Sequence, residues 1–109
     1  MDNRDKKVLQ KILEEIDYLE TVVSGIAYDT FMQDETLRRA VAMTLINIGE
    51  LTRLLSETLK AKNPKIPFNE IMATRNIAAH GYKTLRFDDI WKTIKTDIPD
   101  LKKKIASII

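Results

Sequence analysis

The residues best suited to chemistry lie in one short segment, Arg75-Asn76-Ile77-Ala78-Ala79-His80-Gly81-Tyr82. An arginine such as Arg75 can bind a phosphate through two parallel hydrogen bonds. His80 is the only histidine of the chain, and a histidine side chain can move the proton of a ribose 2′-hydroxyl near neutral pH. With the polar Asn76, the set favours metal-independent RNA cleavage. In that reaction the 2′-hydroxyl attacks its own phosphodiester and leaves a cyclic phosphate.

The spacing of these residues limits what a single chain can do. Five helical residues separate Arg75 from His80 by roughly 7.5 Å of rise and about 140° of rotation, so the two would not share a face. Asn76 lies four positions before His80 and would share its face. Cleavage needs both a base and an acid, and one histidine supplies one of them. A symmetric dimer would bring two copies of the segment together.

A competing interpretation of His80 stays open at this point. A lone histidine at the end of a helix commonly interacts with the last carbonyl groups and with the helix dipole.

Composition and charge place the chain among small helical proteins. Its 109 residues predict one domain over residues 1–109, with 44% hydrophobic and 31% charged residues. The formal net charge is only +2, but residues 60–86 carry six basic residues against Glu70 alone. This local positive charge favours a polyanionic partner such as RNA.

Other functional classes are disfavoured by what the sequence contains. The absence of cysteine excludes disulfides, thiolate zinc sites and a cysteine nucleophile. The charged N-terminal stretch lacks the apolar core of a signal peptide, and no apolar run reaches the length of a membrane span. We therefore expect a cytoplasmic protein.

Helical periodicity predicts a bundle of four or five helices. The first is expected from about Asp5 to Val23, on an apolar seam spaced by three and four residues. A connection over 28–34 offers Thr30 and Asp34 as N-caps, and the second helix should then run to about Lys62-Asn63-Pro64. The second helix carries apolar or small residues on more than one side, so it could pack on two neighbours.

The second half of the chain is divided by prolines and glycine. Pro67 fits the first turn of a third helix, which should end at His80-Gly81 with Gly81 as a left-handed stop. A fourth helix is expected to begin at Asp88-Asp89. Pro99 should break or kink the run, and Asp97 could cap the last helical segment.

The motif and its surroundings resemble the HEPN superfamily. The segment from Arg75 to Tyr82 matches the superfamily's R-x4-H-x-Y form, and it is similar in particular to HepT-type toxins of toxin–antitoxin pairs. Further likenesses span roughly Leu37 to Leu101: Ile46-Asn47-Ile48-Gly49-Glu50, Ile66-Pro67-Phe68-Asn69-Glu70-Ile71 with Phe68 where tryptophan is usual, Ile90-Trp91, and Asp97-Ile98-Pro99-Asp100-Leu101.

The resemblance implies an all-α, four- to five-helix up-and-down bundle that forms a homodimer. It implies a metal-independent endoribonuclease without a cofactor, in which Arg75 holds the phosphate, His80 is the general base or acid, and Asn76 orients them. It further implies a minimal nucleotidyltransferase (MNT) as antitoxin, which transfers AMP onto the motif tyrosine, here Tyr82. We expect the Tyr82 hydroxyl to be available for this AMPylation; the alternative is a partly buried tyrosine that packs on the bundle.

Several alternatives remain at the level of the sequence. The chain could be a non-catalytic interaction module that docks a nucleotidyltransferase, or it could bind RNA without cleaving it. Trp91 is interpreted as a core anchor rather than a base-stacking platform. Asp88-Asp89 is interpreted as a helix cap rather than a metal site. Glu50 either faces the dimer cleft or is an ordinary surface glutamate.

Overall fold

Helices form all the regular structure that is described. The computed structural model describes residues 1–76 and 81–109, and it contains no strand within these ranges. The predicted all-α bundle is thus confirmed, and none of the described helices is long and apolar enough to cross a bilayer. The α-helices are α1 (Asn3–Val23), α2 (Tyr28–Gln33), α3 (Glu35–Arg53), α4 (Glu57–Lys62), α5 (Phe68–Ala73), α6 (Phe87–Lys92) and α7 (Ile98–Ile108).

The core lies mainly between α1 and α3, which pack along each other. The predicted apolar seam of α1 is buried from Leu9 to Val23, and α3 buries Leu37, Val41 and Ile48. Burying one such side chain contributes about 1.5–3 kcal/mol, so this contact supplies much of the stability of the fold. The C-terminal α7 adds Ile98, Leu101 and Ile105 to the same core.

The predicted long second helix is interrupted, and the interruption is the largest difference from the expectation. Helix α3 ends at Arg53, and α4 begins only at Glu57. The Asp5 carboxylate accepts hydrogen bonds from the Ser56 backbone N–H at 2.9 Å and from the Ser56 hydroxyl at 2.5 Å. Because the Ser56 N–H is committed to α1, the helical hydrogen-bond pattern stops there.

The cap of α3 and the preceding connection are also clear. The stretch predicted as a connection contains the short helix α2, whose Phe31 is fully buried. Of the two predicted caps, Asp34 caps α3, since its carboxylate accepts a hydrogen bond from the Leu37 N–H at 2.9 Å.

The C-terminal region is more continuous than the sequence predicted. A π-helical turn, Thr93–Asp97, joins α6 directly to α7. Pro99 has no N–H to donate, and the wider turn lies just before it, so the helix adjusts instead of stopping. The predicted cap at Asp97 is wrong, because Asp97 has helical backbone angles and makes no capping hydrogen bond.

The predicted features of α6 shift slightly. The helix begins at Phe87, and Asp88 and Asp89 lie in its first turn, each 3.4 Å from an Arg86 nitrogen, instead of capping it. Trp91 is half-buried and packs on the buried Phe31 with ring centroids 5.0 Å apart. Trp91 therefore serves as the anchor that the sequence indicated.

Candidate functional site

The segment that carries Arg75 departs from an ideal helix before it reaches the arginine. Helix α5 ends at Ala73, and the chain tightens into a 3-10 turn over Thr74–Asn76. Pro67 precedes the helix as its N-cap residue rather than occupying its first turn. The spacing calculated for a regular helix therefore does not hold over Thr74–Asn76. The predicted helix end at His80, and His80 itself, lie outside the described residues.

The 3-10 turn is fixed against α3 by close packing at Gly49. A Cβ on Gly49 would lie 2.6 Å from the Thr74 hydroxyl oxygen and 2.9 Å from the Arg75 backbone nitrogen. The Thr74 hydroxyl lies 2.8 Å from the Leu45 carbonyl oxygen and 2.7 Å from that of Ile71. Glycine at position 49 thus lets the backbone of the motif approach α3, and Thr74 holds it there.

Arg75 projects from this turn and shares a carboxylate with a second arginine. Its Nε lies 3.7 Å from Oε1 of Glu50, while Nε of Arg53 lies 3.4 Å from Oε2 of the same carboxylate. The three side chains are 46%, 51% and 47% exposed for Arg75, Arg53 and Glu50 respectively. Asn76 is also exposed at the end of the turn. The structure thus places Arg75 and Asn76 together at the surface.

Gly81 resumes the described chain with a backbone that suits glycine. Its φ of 76° confirms the predicted positive value, but its ψ of 154° lies outside the left-handed helical region. Such a combination is essentially restricted to glycine. Gly81 therefore redirects the chain into the 3-10 turn Tyr82–Thr84.

The expectation of an available Tyr82 hydroxyl is wrong for this conformation. The hydroxyl oxygen is buried and has no hydrogen-bond partner among the described residues. The Arg39 guanidinium carbon lies 4.1 Å from the centroid of the Tyr82 ring, and the Phe87 ring centroid lies 5.2 Å away on the bundle. Tyr82 is instead the partly buried packing residue that the sequence offered as the alternative.

Sequence reasoning missed two arginines beside these motif residues. Arg53 reaches the same carboxylate as Arg75, and Arg39 covers Tyr82 while pairing with Glu35 at 3.0 Å. Both lie on α3, far from the motif along the chain. Within the described ranges, no group of three or more His, Cys, Asp or Glu side chains is arranged to hold a metal ion.

Comparison with known proteins shows the family to which the chain belongs. A family described as "Ribonuclease HepT-like" matches residues 12–108, which includes α3, the 3-10 turn and Tyr82. The chain belongs to the HepT-like family. Membership confirms the resemblance found in the sequence, and it also confirms the predicted enzyme class, ribonuclease.

Three relatives of this HepT-like chain match over nearly their whole length. A protein of Caldanaerobacter subterraneus subsp. tengcongensis, named provisionally as an RNase, is 35% identical over 93% of this chain and 90% of its own. A provisionally named RNase of Methanocaldococcus jannaschii is 33% identical over 99% of this chain and all of its own. A protein of Thermococcus cleftensis named "Probable ribonuclease HepT" is 32% identical over 99% of this chain and 98% of its own. No solved structure matches the chain significantly.

Proposed function

We propose that this chain is a metal-independent endoribonuclease of the HepT kind that acts on RNA in the cytoplasm. Arg75 binds the scissile phosphate, His80 moves the proton of the attacking 2′-hydroxyl or of the leaving 5′-oxygen, and Asn76 orients the two. The oxygen of the 2′-hydroxyl bonds to phosphorus, the bond to the 5′-oxygen breaks, and a 2′,3′-cyclic phosphate remains. These roles rest on the motif and on membership of the family.

The position of Arg75 is the observation that supports this proposal most. Its backbone is pinned to α3 at Gly49 and by Thr74, whereas its guanidinium is half exposed and only loosely paired at 3.7 Å. A fixed backbone with an accessible guanidinium suits an arginine that must bind a phosphate and stabilise charge on it. A purely structural arginine would be expected to have closer and more buried partners.

We further propose that two copies of the chain complete the site. One chain supplies a single histidine, and cleavage requires a base and an acid. A two-fold dimer that places the exposed Arg75–Asn76 turns side by side would provide both histidines in one cleft. Mixing wild-type chains with an excess of His80→Ala chains tests this, because each mixed dimer holds only one of the two histidines and should lose activity, whereas sites complete within one chain would keep it.

Cleavage of RNA by the purified protein in excess EDTA tests the chemistry. We expect the wild type to cleave and to leave cyclic phosphate ends, while Arg75→Ala and His80→Ala lose about a hundredfold or more in rate. Lys104→Ala is the control, because Lys104 is paired with Asp100 on α7 and carries no role here. Equal rates in all four proteins would contradict the mechanism, and binding without cleavage by the wild type would favour a non-catalytic RNA-binding module.

We also propose that a minimal nucleotidyltransferase antitoxin silences the enzyme by transferring AMP from ATP to the Tyr82 oxygen, with release of pyrophosphate. Because this oxygen is buried and the Tyr82 ring packs under Arg39 and beside Phe87, the turn Tyr82–Thr84 must open before the transfer. Mass spectrometry after incubation with ATP and the transferase would detect the adduct, and Tyr82→Phe should carry none. We expect Arg39→Ala to be modified faster than wild type; an unchanged rate would show that Arg39 does not retain the ring.

A further inference from the structure

A cluster of two arginines and one glutamate lies where α3 ends beside the motif. Arg53 is the last residue of α3, and it lies three positions after Glu50. The Glu50 carboxylate is bound on one oxygen by Arg53 and on the other by Arg75. Arg53 is therefore a neighbour of Arg75 in space, although it belongs neither to the motif nor to the short segments that carry the resemblance.

The contacts within the cluster are those of groups that can exchange partners. Charge-assisted contacts between guanidinium and carboxylate groups are typically about 2.7–2.9 Å long, and both contacts here are longer, at 3.4 and 3.7 Å. Both arginines use Nε, and their terminal amino groups make no further hydrogen bond or ion pair with the described residues. Half-exposed ion pairs of this kind contribute little stability. Replacing the Glu50 carboxylate with another anion therefore costs little free energy.

We propose that Arg53 is a second phosphate-binding residue of the RNA site and that Glu50 occupies the place of an RNA phosphate when no RNA is bound. This inference rests on the proposed ribonuclease function and extends it. Arg75 contacts the scissile phosphate, and Arg53 contacts a neighbouring phosphate of the same strand. Glu50 holds the two guanidinium groups close together. RNA displaces its carboxylate, since each arginine can donate hydrogen bonds from its terminal amino groups to a phosphate.

The charges around the cluster indicate which way the strand runs. Arg53 lines the groove between α1 and α3, which has a volume of about 580 Å³ and whose other charged residues are Lys11 and the carboxylates Glu14, Glu15 and Glu50. These carboxylates would repel a phosphate backbone. The basic excess of the sequence falls instead within residues 60–86, the stretch of chain that includes Arg75. The strand therefore follows the edge from Arg53 to Arg75 and does not enter the groove.

Binding of a single-stranded 2′-O-methyl RNA, measured by fluorescence anisotropy at several salt concentrations, tests the proposal. This RNA has no free 2′-hydroxyl and is not cleaved, so binding is read without catalysis. Loss of one phosphate contact on a single strand makes the slope of log affinity against log salt shallower by about 0.7. We expect this change in Arg53→Gln, with Kd about tenfold weaker at low salt, whereas Arg53→Lys should keep the slope.

Matched variants distinguish a binding role from a structural one. Lys104→Gln removes a partly exposed cation from an ion pair on α7 and should leave both Kd and slope unchanged. A lower melting temperature of Arg53→Gln with a wild-type slope would overturn the proposal, because it would leave Arg53 only a role at the helix end.

Parallel cleavage assays on ordinary RNA separate the two hypotheses. If the wild type cleaves and Arg53→Gln equals it in Kd and slope, the second phosphate site is wrong and the ribonuclease stands. If the slope depends on Arg53 but the wild type does not cleave, the phosphate site stands and the proposed function is wrong.

Discussion

Two carboxylates near the end of α3 have opposite surroundings. Asp5 is 4% exposed and receives two short hydrogen bonds from Ser56, whereas Glu50 is half exposed and is held loosely by two arginines. Burial acts to raise the pKa of Asp5, but the hydrogen bonds from the Ser56 hydroxyl and backbone outweigh it and hold the pKa below its ordinary value. The buried carboxylate fixes where α3 stops and α4 starts, and the exposed one leaves its arginines able to change partners.

The largest expected effect is on stability at the buried carboxylate. Asp5→Ala leaves the Ser56 N–H and hydroxyl without their acceptor, so we expect the free energy of unfolding to fall by about 2–3 kcal/mol. Urea unfolding measures this. Asp100→Ala, which removes an exposed carboxylate paired with Lys104, should change the free energy by no more than about 0.5 kcal/mol. Equal losses in both variants would remove the distinction between the two kinds of carboxylate.

Gly49→Ala should lower both the stability of the fold and the rate of RNA cleavage, because the added methyl group disrupts the contact between α3 and the 3-10 turn that carries Arg75. The new Cβ meets the Arg75 backbone nitrogen at 2.9 Å, and we expect a loss of about 1–3 kcal/mol. RNA cleavage should also slow, since the turn must shift.

Gly25→Ala is the control for this prediction. It strains a φ of 71° but meets no atom within 4 Å. It should lower stability without slowing cleavage at a temperature where it remains folded. If both glycine variants slow cleavage alike, the contact at Gly49 does not position Arg75.

Low pH should remove the stabilisation that the buried Asp5 carboxylate contributes to the fold. A carboxylate whose pKa is lowered on folding stabilises the folded state above the unfolded value of 3.8, and this contribution is lost as the pH falls through the folded pKa. The stability difference between wild type and Asp5→Asn should therefore be full at neutral pH and shrink below about pH 4. Thermal unfolding at a series of pH values measures it; a difference that grows toward acid would contradict the assignment.

The smallest effect on stability, with a measurable effect on binding, is expected at the exposed carboxylate. Glu50→Gln should change the free energy of unfolding by less than about 0.5 kcal/mol, as is usual for exposed ion pairs. Because the competing charge is gone, 2′-O-methyl RNA should bind a few-fold more tightly at low salt. Weaker binding would mean that Glu50 assists RNA instead of standing in its place.

Local patterns in the sequence predicted the elements that depend only on neighbouring residues. The seam of α1, the positive φ of Gly81 and the cap at Asp34 all follow from residue types a few positions apart. The break after Arg53 did not, because its cause is Asp5, 51 residues away from Ser56. The burial of the Tyr82 hydroxyl was missed for the same reason, since the Tyr82 ring packs against Arg39, which belongs to α3.

The candidate site was likewise predicted only in part from the sequence. The motif identified Arg75 and Asn76, but not Glu50 and Arg53 as neighbours, because the contact of Arg75 with Glu50 joins segments that lie far apart in the sequence and leaves no periodic signal. The geometry of the motif was misjudged where a regular helix was assumed, since the contact of Thr74 with α3 accompanies a tighter turn.

The first five residues have a practical consequence for anyone preparing this protein. Asp2 caps α1 by accepting a hydrogen bond from the Asp5 N–H at 2.7 Å, and Asp5 in turn secures Ser56. The family match begins only at residue 12. A sample trimmed to that boundary would retain every arginine of the site and lose both aspartates. If such a sample did not cleave RNA, the cause would be the lost stability of the fold, and the result would be mistaken for a lack of enzymatic activity.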